Sequence, residues 1–182
     1  MEEAYEHILR FSGLLRGYLE TSRKRYISVA DEVTNLQHYI ELQQTRFGGL
    51  FAYRIELKDI KDAQRLFIPS LLLQPSVENA INHGLLPKER DGLLLVTIKR
   101  DEATGAITCI IDDNGIGRNR SYELNMQNTY RKASQGSQLL KQLTDVFNKY
   151  ENAGIEIHYV DKQMPESGTI VIIKIKNPYN EK

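Results

Sequence analysis

An α+β fold is what this sequence predicts, and three observations carry the prediction. Apolar residues recur at helical spacing over the first 48 positions, strict alternation replaces that spacing after Gly49, and two further helical stretches interrupt the strand-like runs that follow. The expected architecture is a mixed sheet of about five strands with helices on one face. A helical hairpin at residues 1–48 precedes it, and the two parts meet near Gly48-Gly49.

Glu2 to Arg25 places Ile8, Phe11, Leu14, Leu15, Tyr18 and Leu19 at three- and four-residue steps, the pattern of an amphipathic helix. Ser28, with Asp31 three residues on, reads as a helix N-cap, and Val29, Val33, Leu36, Ile40 and Phe47 continue the stripe until the two glycines end it. Two helices with one stripe each cannot bury those stripes against each other alone, so they are expected to pair with a second copy or to dock on the rest of the chain. Phe51, Tyr53, Ile55 and Leu57 alternate as a strand, and Gly92 to Lys99 and Ala106 to Ile111 form a hairpin around Asp101-Glu102-Ala103-Thr104-Gly105. Between them, Pro69 to Gly84 reads as a helix with Leu72, Leu73, Val77, Ala80 and Ile81 on its buried side. Gly115 to Gly136 has no periodicity and reads as a functional lid-like loop. Leu139, Leu140, Leu143, Val146 and Phe147 mark another helix, and Gly154 to Asp161 and Thr169 to Lys176 close the sheet around Pro165-Glu166-Ser167-Gly168.

Composition narrows the function classes. The 182 residues are 41% hydrophobic and 26% charged, which sets aside collagen-like, disordered and disulfide-scaffold chains. With 24 basic and 24 acidic residues there is no cationic excess to hold a phosphate backbone or an anionic membrane. Direct nucleic-acid binding is therefore not expected. Cys109, the single cysteine, lies in an apolar run and reads as a small buried hydrophobe. The longest apolar stretch, Ile68 to Leu73, is too short to cross a bilayer, and Met1 to Glu6 carries acid where a signal peptide carries base. A chain that opens inside a helical pattern is expected to be part of something longer.

Two segments could carry chemistry. Asp112-Asp113-Asn114-Gly115-Ile116-Gly117 leaves an apolar strand with two glycines where backbone can approach a flat or anionic ligand, and with a carboxylate that can accept from an amine such as that of adenine. The same letters are ordinary turn chemistry, so that reading stays open. Glu78-Asn79-Ala80-Ile81-Asn82-His83-Gly84 ends the Pro69 helix. There, Asn79 offers a carboxamide oxygen to a hard cation and His83, four residues on, offers an imidazole to phosphate. A polar helix end satisfying its own carbonyls is the alternative.

Taken together, Gln74 to Gly84 followed by Asp113 to Gly117 resembles the N box and G1 box of the GHKL (Bergerat-fold) ATPases, and more closely the LytS/YehU-type sensor histidine kinases. Phe11-Ser12-Gly13-Leu14-Leu15-Arg16 and Tyr39 to Phe47 are similar to that family's helices ahead of its ATPase domain. The resemblance implies a Bergerat α/β sandwich that binds ATP and Mg²⁺. Asn79 would hold the Mg²⁺, with Glu78 and His83 beside it as catalytic candidates and Asn82 in the same box. Asp113 would accept from the adenine amine, with Gly115, Ile116 and Gly117 admitting the nucleotide, and Gly136 and Ser137 would remain from the G2 box, their backbone N–H groups facing phosphate. It further implies a homodimer through the N-terminal helices, a response-regulator partner of LytTR type, and a cytoplasmic portion of a bacterial inner-membrane protein, tethered only through segments outside this chain.

Three departures shape the functional expectation. Gln138 stands where a Gly-x-Gly G2 box has its second glycine, and Pro75 stands where gyrase-type relatives carry a water-activating glutamate, which disfavours simple ATP hydrolysis. No phosphoacceptor motif of Pro-His-Phe type is present. His7, His38 and His158 lie in other contexts, the latter two read as a helix-surface and a strand residue. The primary expectation is the ATP-binding catalytic portion of a sensor histidine kinase, transferring the γ-phosphoryl to a histidine upstream; the alternative is a degenerate domain that binds nucleotide or partner without transfer.

Overall fold

A computed structural model describes residues 24–127, 135–163 and 165–179. Its elements run β1 (Tyr26–Ser28), α1 (Val29–Arg46), β2 (Phe51–Lys58), β3 (Phe67–Pro69), α2 (Gln74–Asn79), a π-helical continuation (Ala80–Leu85) and a 3₁₀ turn (Leu86–Lys88). β4 (Gly92–Arg100), β5 (Ile107–Asp113), α3 (Arg118–Gln127), α4 (Gln135–Glu151), β6 (Ile155–Asp161) and β7 (Thr169–Ile175) follow. Five strands form one mixed sheet in the order β2-β4-β5-β7-β6, with β2 and β4 parallel and every other pair antiparallel. The α+β architecture with a five-stranded mixed sheet is as the sequence predicts.

The core lies under the central strands. Leu94, Val96 and Ile98 of β4, Ile107, Cys109 and Ile111 of β5, and Ile173 and Ile175 of β7 are fully buried. Leu36 and Ile40 of α1, Val77 of α2 and Leu140 of α4 cover them in one continuous cluster. Each such side chain contributes roughly 1.5–3 kcal/mol on leaving water. The α4 stripe is narrower than expected: Leu140 and Phe147 are buried, while Leu139 and Val146 point outward.

Helix α1 begins and ends as predicted. Ser28 Oγ accepts from the Asp31 N–H at 3.1 Å, and Gly48 and Gly49 stop the helix in left-handed conformation, φ 63° and 74°. The segment ahead of it differs. The expected helix from Glu2 to Arg25 falls largely outside the described residues, but its end gives way to strand β1, which pairs with β3 through Tyr26↔Pro69, Ile27↔Ile68 and Ser28↔Phe67. Three-residue strands leave too little alternation to register as a pattern. Pro69 therefore ends a strand instead of opening a helix, and α2 begins only at Gln74. The third correction concerns Gly115 to Gly136, read as an aperiodic loop: Arg118–Gln127 is helical. Arg118, Asn119, Arg120, Tyr122 and Glu123 are all exposed, so α3 has no apolar stripe to reveal it.

Candidate functional site

The two sequence motifs meet at the carboxyl end of β5. There the π-helical turn ends against the loop that leaves the strand, and the Ile116 N–H donates to the Gly84 carbonyl at 3.1 Å. The approach is close enough to dictate composition. A Cβ on Gly115 would stand 2.4 Å from the Gly84 carbonyl carbon, and one on Gly84 would stand 2.9 Å from Asp113 Oδ1. Gly115 is therefore fixed by the protein's own packing, not only by room for a ligand. Gly117 has a different reason: nothing lies nearer than 3.8 Å, but its φ is 77°, a conformation side chains resist. Its carbonyl accepts from the Ser121 N–H and so starts α3.

Asp113 is only 4% exposed. Its Oδ1 accepts from the Gly115 N–H at 2.8 Å. Burial pushes its carboxyl up to about 6, against the Gly115 and Thr169 N–H groups and the Lys162 ammonium, which favour the ionised form. Lys162 itself pairs with Asp112. Asn114, between the two, extends the sheet edge: its Oδ1 accepts from the Leu93 N–H at 2.7 Å, its Nδ2 donates to the Asp91 carbonyl at 3.0 Å, and Lys88 Nζ donates to its carbonyl at 2.8 Å. Ile116 lies half-buried over the junction.

Across the junction, Asn79 closes α2, half-buried, and Asn82 and His83 lie in the π-helical turn. The wider i→i+5 bonding there departs from the α-helical register on which the Asn79–His83 pairing rested, and such turns recur at functional sites. Glu78 Oε1 accepts from Gln74 Nε2 at 2.7 Å, and burial raises its carboxyl pKa. Asn82 is hydrogen-bonded to the Tyr39 hydroxyl on α1; burial and the Glu78 charge push that phenol up to about 12. Among the described residues no group of three His, Cys, Asp or Glu could hold a metal. A cation at Asn79 would thus complete its shell with phosphate and water oxygens, the usual arrangement for Mg²⁺. A carboxamide beside a half-buried carboxylate fits that donor set.

Gly136 and Ser137 begin α4, but their side chains and Ser134 lie outside the described residues, as do His7 and the whole 128–134 stretch. Gln138 is exposed on α4, and His38 and His158 are exposed on α1 and β6. The sequence reading missed Gly168. At φ 119°, its position would put a Cβ 2.0 Å from the Asp113 carbonyl oxygen, so it belongs to the site and not merely to a hairpin turn. Its only sequence signal was the turn itself. Arg118 was missed too: its Nε and Nη2 grip Asp161 at 2.7 and 2.6 Å, tying α3 to β6.

Comparison with known proteins agrees with this geometry. Residues 1–51 match the sequence profile of the histidine kinase family. The sensor histidine kinase/phosphatase LytS of Staphylococcus aureus is 30% identical over 116 residues, 64% of this chain and 19% of LytS. The chain thus spans about a fifth of the length of that relative. Among solved structures, the catalytic domain of histidine kinase ThkA superposes with a TM-score of 0.53 at 11% identity, over 85% of this chain and 97% of that one. The blue-light activated histidine kinase of Erythrobacter litoralis gives 0.54 at 15% identity, over 96% and 48%. ThkA in complex with the response regulator TrrA gives 0.51 at 13%, over 96% and 48%. The fold is that of histidine kinase catalytic domains.

Proposed function

We propose that this chain, which resembles the histidine kinase family over residues 1–51 and LytS over 116 residues, is the ATP-binding catalytic portion of a sensor kinase of the LytS type, transferring the γ-phosphoryl of ATP to an upstream histidine. The observation that carries this reading is the docking of Gly84 onto Asp113–Ile116, which brings the Asn79 helix and the Asp113 loop to one end of the sheet. Asp113, charged, accepts from the adenine amine. Gly115 and Gly117 shape the loop beneath the nucleotide, and Asn79, with Glu78 beside it, faces the phosphates. Mg²⁺, when bound, neutralises charge developing on the transferred phosphoryl. Asn82, engaged by Tyr39, keeps the π-helical turn in register with α1.

The acceptor, the assembly and the location belong to the same proposal. ThkA was solved with a response regulator, and a response regulator of LytTR type is the proposed phosphoryl acceptor here. A homodimer through the N-terminal helices and a cytoplasmic position below a bacterial inner membrane complete it. No described helix is long and apolar enough to cross a membrane. A second reading, nucleotide binding without transfer, is favoured by Gln138 in place of a glycine.

Calorimetric titration with Mg-ATP tests the core of the proposal. Wild type should bind, and Asp113→Asn should weaken binding about 10- to 150-fold, because an amide N–H meets the adenine amine where an acceptor is needed. No heat with wild type removes the assignment. A longer chain carrying the upstream histidine should then take up acid-labile label from γ-labelled ATP, and its absence despite binding selects the second reading.

A further inference from the structure

Helix α1 carries a carboxyl group that the proposed chemistry does not use. Glu32 is 3% exposed, set among Leu36, Leu73 and Cys109 in the common core. Its Oε1 finds no hydrogen-bond partner among the described residues. Among the described residues, the group favouring its ionised form is the backbone N–H of Leu73, which donates to the carboxyl; across the core, the Glu32 charge in turn helps raise the Cys109 thiol of β5. An acidic group in this setting needs a reason, because a buried carboxyl with an unmet oxygen costs stability that a leucine there would not.

Leu73 supplies the reason. It is the N-cap residue of α2, and that helix has no side-chain cap of its own, no acidic residue in its first turn, and a proline at its start. Pro75 has no N–H, and the Ser76 and Val77 N–H groups donate to the Leu73 carbonyl at 3.1 and 3.2 Å, so the amino-end donor that Glu32 satisfies in this dry interior is the N–H of Leu73 itself. The chain enters this helix under strain as well. Leu71 has φ 62°, which a branched side chain adopts only when its surroundings compel it. Those surroundings come from the stretch that leads into α1: the Ser70 N–H donates to the Arg25 carbonyl at 3.0 Å, the Val29 N–H donates to the Leu66 carbonyl at 2.7 Å, and β1 pairs with β3. Farther along α1, Tyr39 holds Asn82. The Asn79 helix is thus gripped at both ends by residues that precede Gly48-Gly49.

We propose that Glu32 is a positioning residue for the nucleotide site: from α1, its buried carboxyl caps and fixes the amino end of the helix that presents Glu78 and Asn79. Nucleotide affinity then depends on how the segment leading into α1 sits, so a displacement of that segment is felt at Asn79 through Leu73. This inference rests on the ATP-binding reading above.

The test uses the full chain with Glu32→Gln and Glu32→Leu. Glutamine keeps the volume and an acceptor for the Leu73 N–H; leucine keeps the apolar volume and removes the acceptor. Two readouts are taken: Mg-ATP affinity by calorimetry, and amide hydrogen exchange at Leu73 to Val77. The expected result is that Glu32→Gln stays within about twofold of wild type in both, while Glu32→Leu, still folded and with an unchanged melting temperature or a higher one, exchanges faster at those amides and binds Mg-ATP roughly tenfold more weakly, the scale of a lost helix cap. A folded Glu32→Leu protein with wild-type affinity and protection overturns the inference. If wild type itself fails to bind Mg-ATP, the functional reading falls, while the exchange readout still reports whether Glu32 caps the helix.

Discussion

Gly115→Ala is the sharpest perturbation of the junction, because the added methyl meets backbone and not a side chain that could swing away. Its Cβ would lie 2.4 Å from the Gly84 carbonyl carbon and 2.5 Å from both the Gly84 Cα and oxygen. Relief requires about 1 Å of separation between loop and helix, since carbon atoms rest about 3.5 Å apart at closest comfort. That movement breaks the 3.1 Å bond from Ile116 to Gly84 and disturbs the 2.8 Å bond from Gly115 to Asp113. Overpacking costs about 1–3 kcal/mol and a lost hydrogen bond about 1 kcal/mol, so the variant should lose about 2–4 kcal/mol of stability.

Gly117→Ala is the control. It meets nothing within 3.8 Å but must hold φ at 77°, a strain of about 1 kcal/mol. Urea denaturation of the two variants, read as a shift in midpoint at constant slope, separates clash from strain. Mg-ATP binding should fall with Gly115→Ala even where the protein remains folded, because Asp113 loses its orienting N–H. If Gly115→Ala costs no more than Gly117→Ala, the helix end does not rest on the loop and the site geometry is wrong.

Three other outcomes follow from the same geometry. Asp113 holds its proton up to about pH 6 in the free chain, so Mg-ATP affinity should rise with pH through about 6 and level off above it; titration near pH 5.5 in buffers of different ionisation enthalpy should show proton release on binding. Ser28→Ala should destabilise by about 1 kcal/mol through loss of the α1 cap, measured by thermal or urea unfolding, with little effect on Mg-ATP affinity at full folding. Arg118→Ala should cost no more than about 1 kcal/mol despite its two short bonds to Asp161, because both side chains are a third or more exposed; a much larger loss in the same unfolding assay would show that α3 is held by this pair alone.

What the sequence made legible was whatever repeats with a period or closes with a glycine. The Phe51, β4, β5 and β7 alternations and the Ser28 cap read directly because burial on one face imposes the pattern. The meeting of Gly84 with Asp113 was legible only through the resemblance of two boxes, since nothing in local spacing says that a helix end will dock on a loop some thirty residues on. β1 and β3 were illegible because three residues carry no period, and α3 because a helix whose described side chains are mostly exposed, started by the Gly117 carbonyl and joined to β6 by the Arg118–Asp161 pair, shows no apolar stripe. Leu139 and Val146 show the converse: an apolar residue at the right step is not thereby buried.

Glu32 and Asp113 show how function is written into stability. Both are acids whose folded pKa is raised by burial, Glu32 to about 7 and Asp113 to about 6, so in each case the folded chain binds the proton more tightly than the unfolded one. Stability contributed by the protonated form is present at low pH and is lost as pH rises from about 4 toward 7, at about 3 kcal/mol for each group by linkage. A fold selected for stability alone would replace both with apolar side chains of similar volume. Under the proposed reading a ligand amine offsets the charge of Asp113, so its cost is recoverable on binding. Among the described residues Glu32, 3% exposed, meets the Leu73 N–H and the apolar core. Its cost persists in every state of the site, and that asymmetry separates the work proposed for the two acids: recognition of nucleotide for Asp113, and positioning of the helix that carries Asn79 for Glu32.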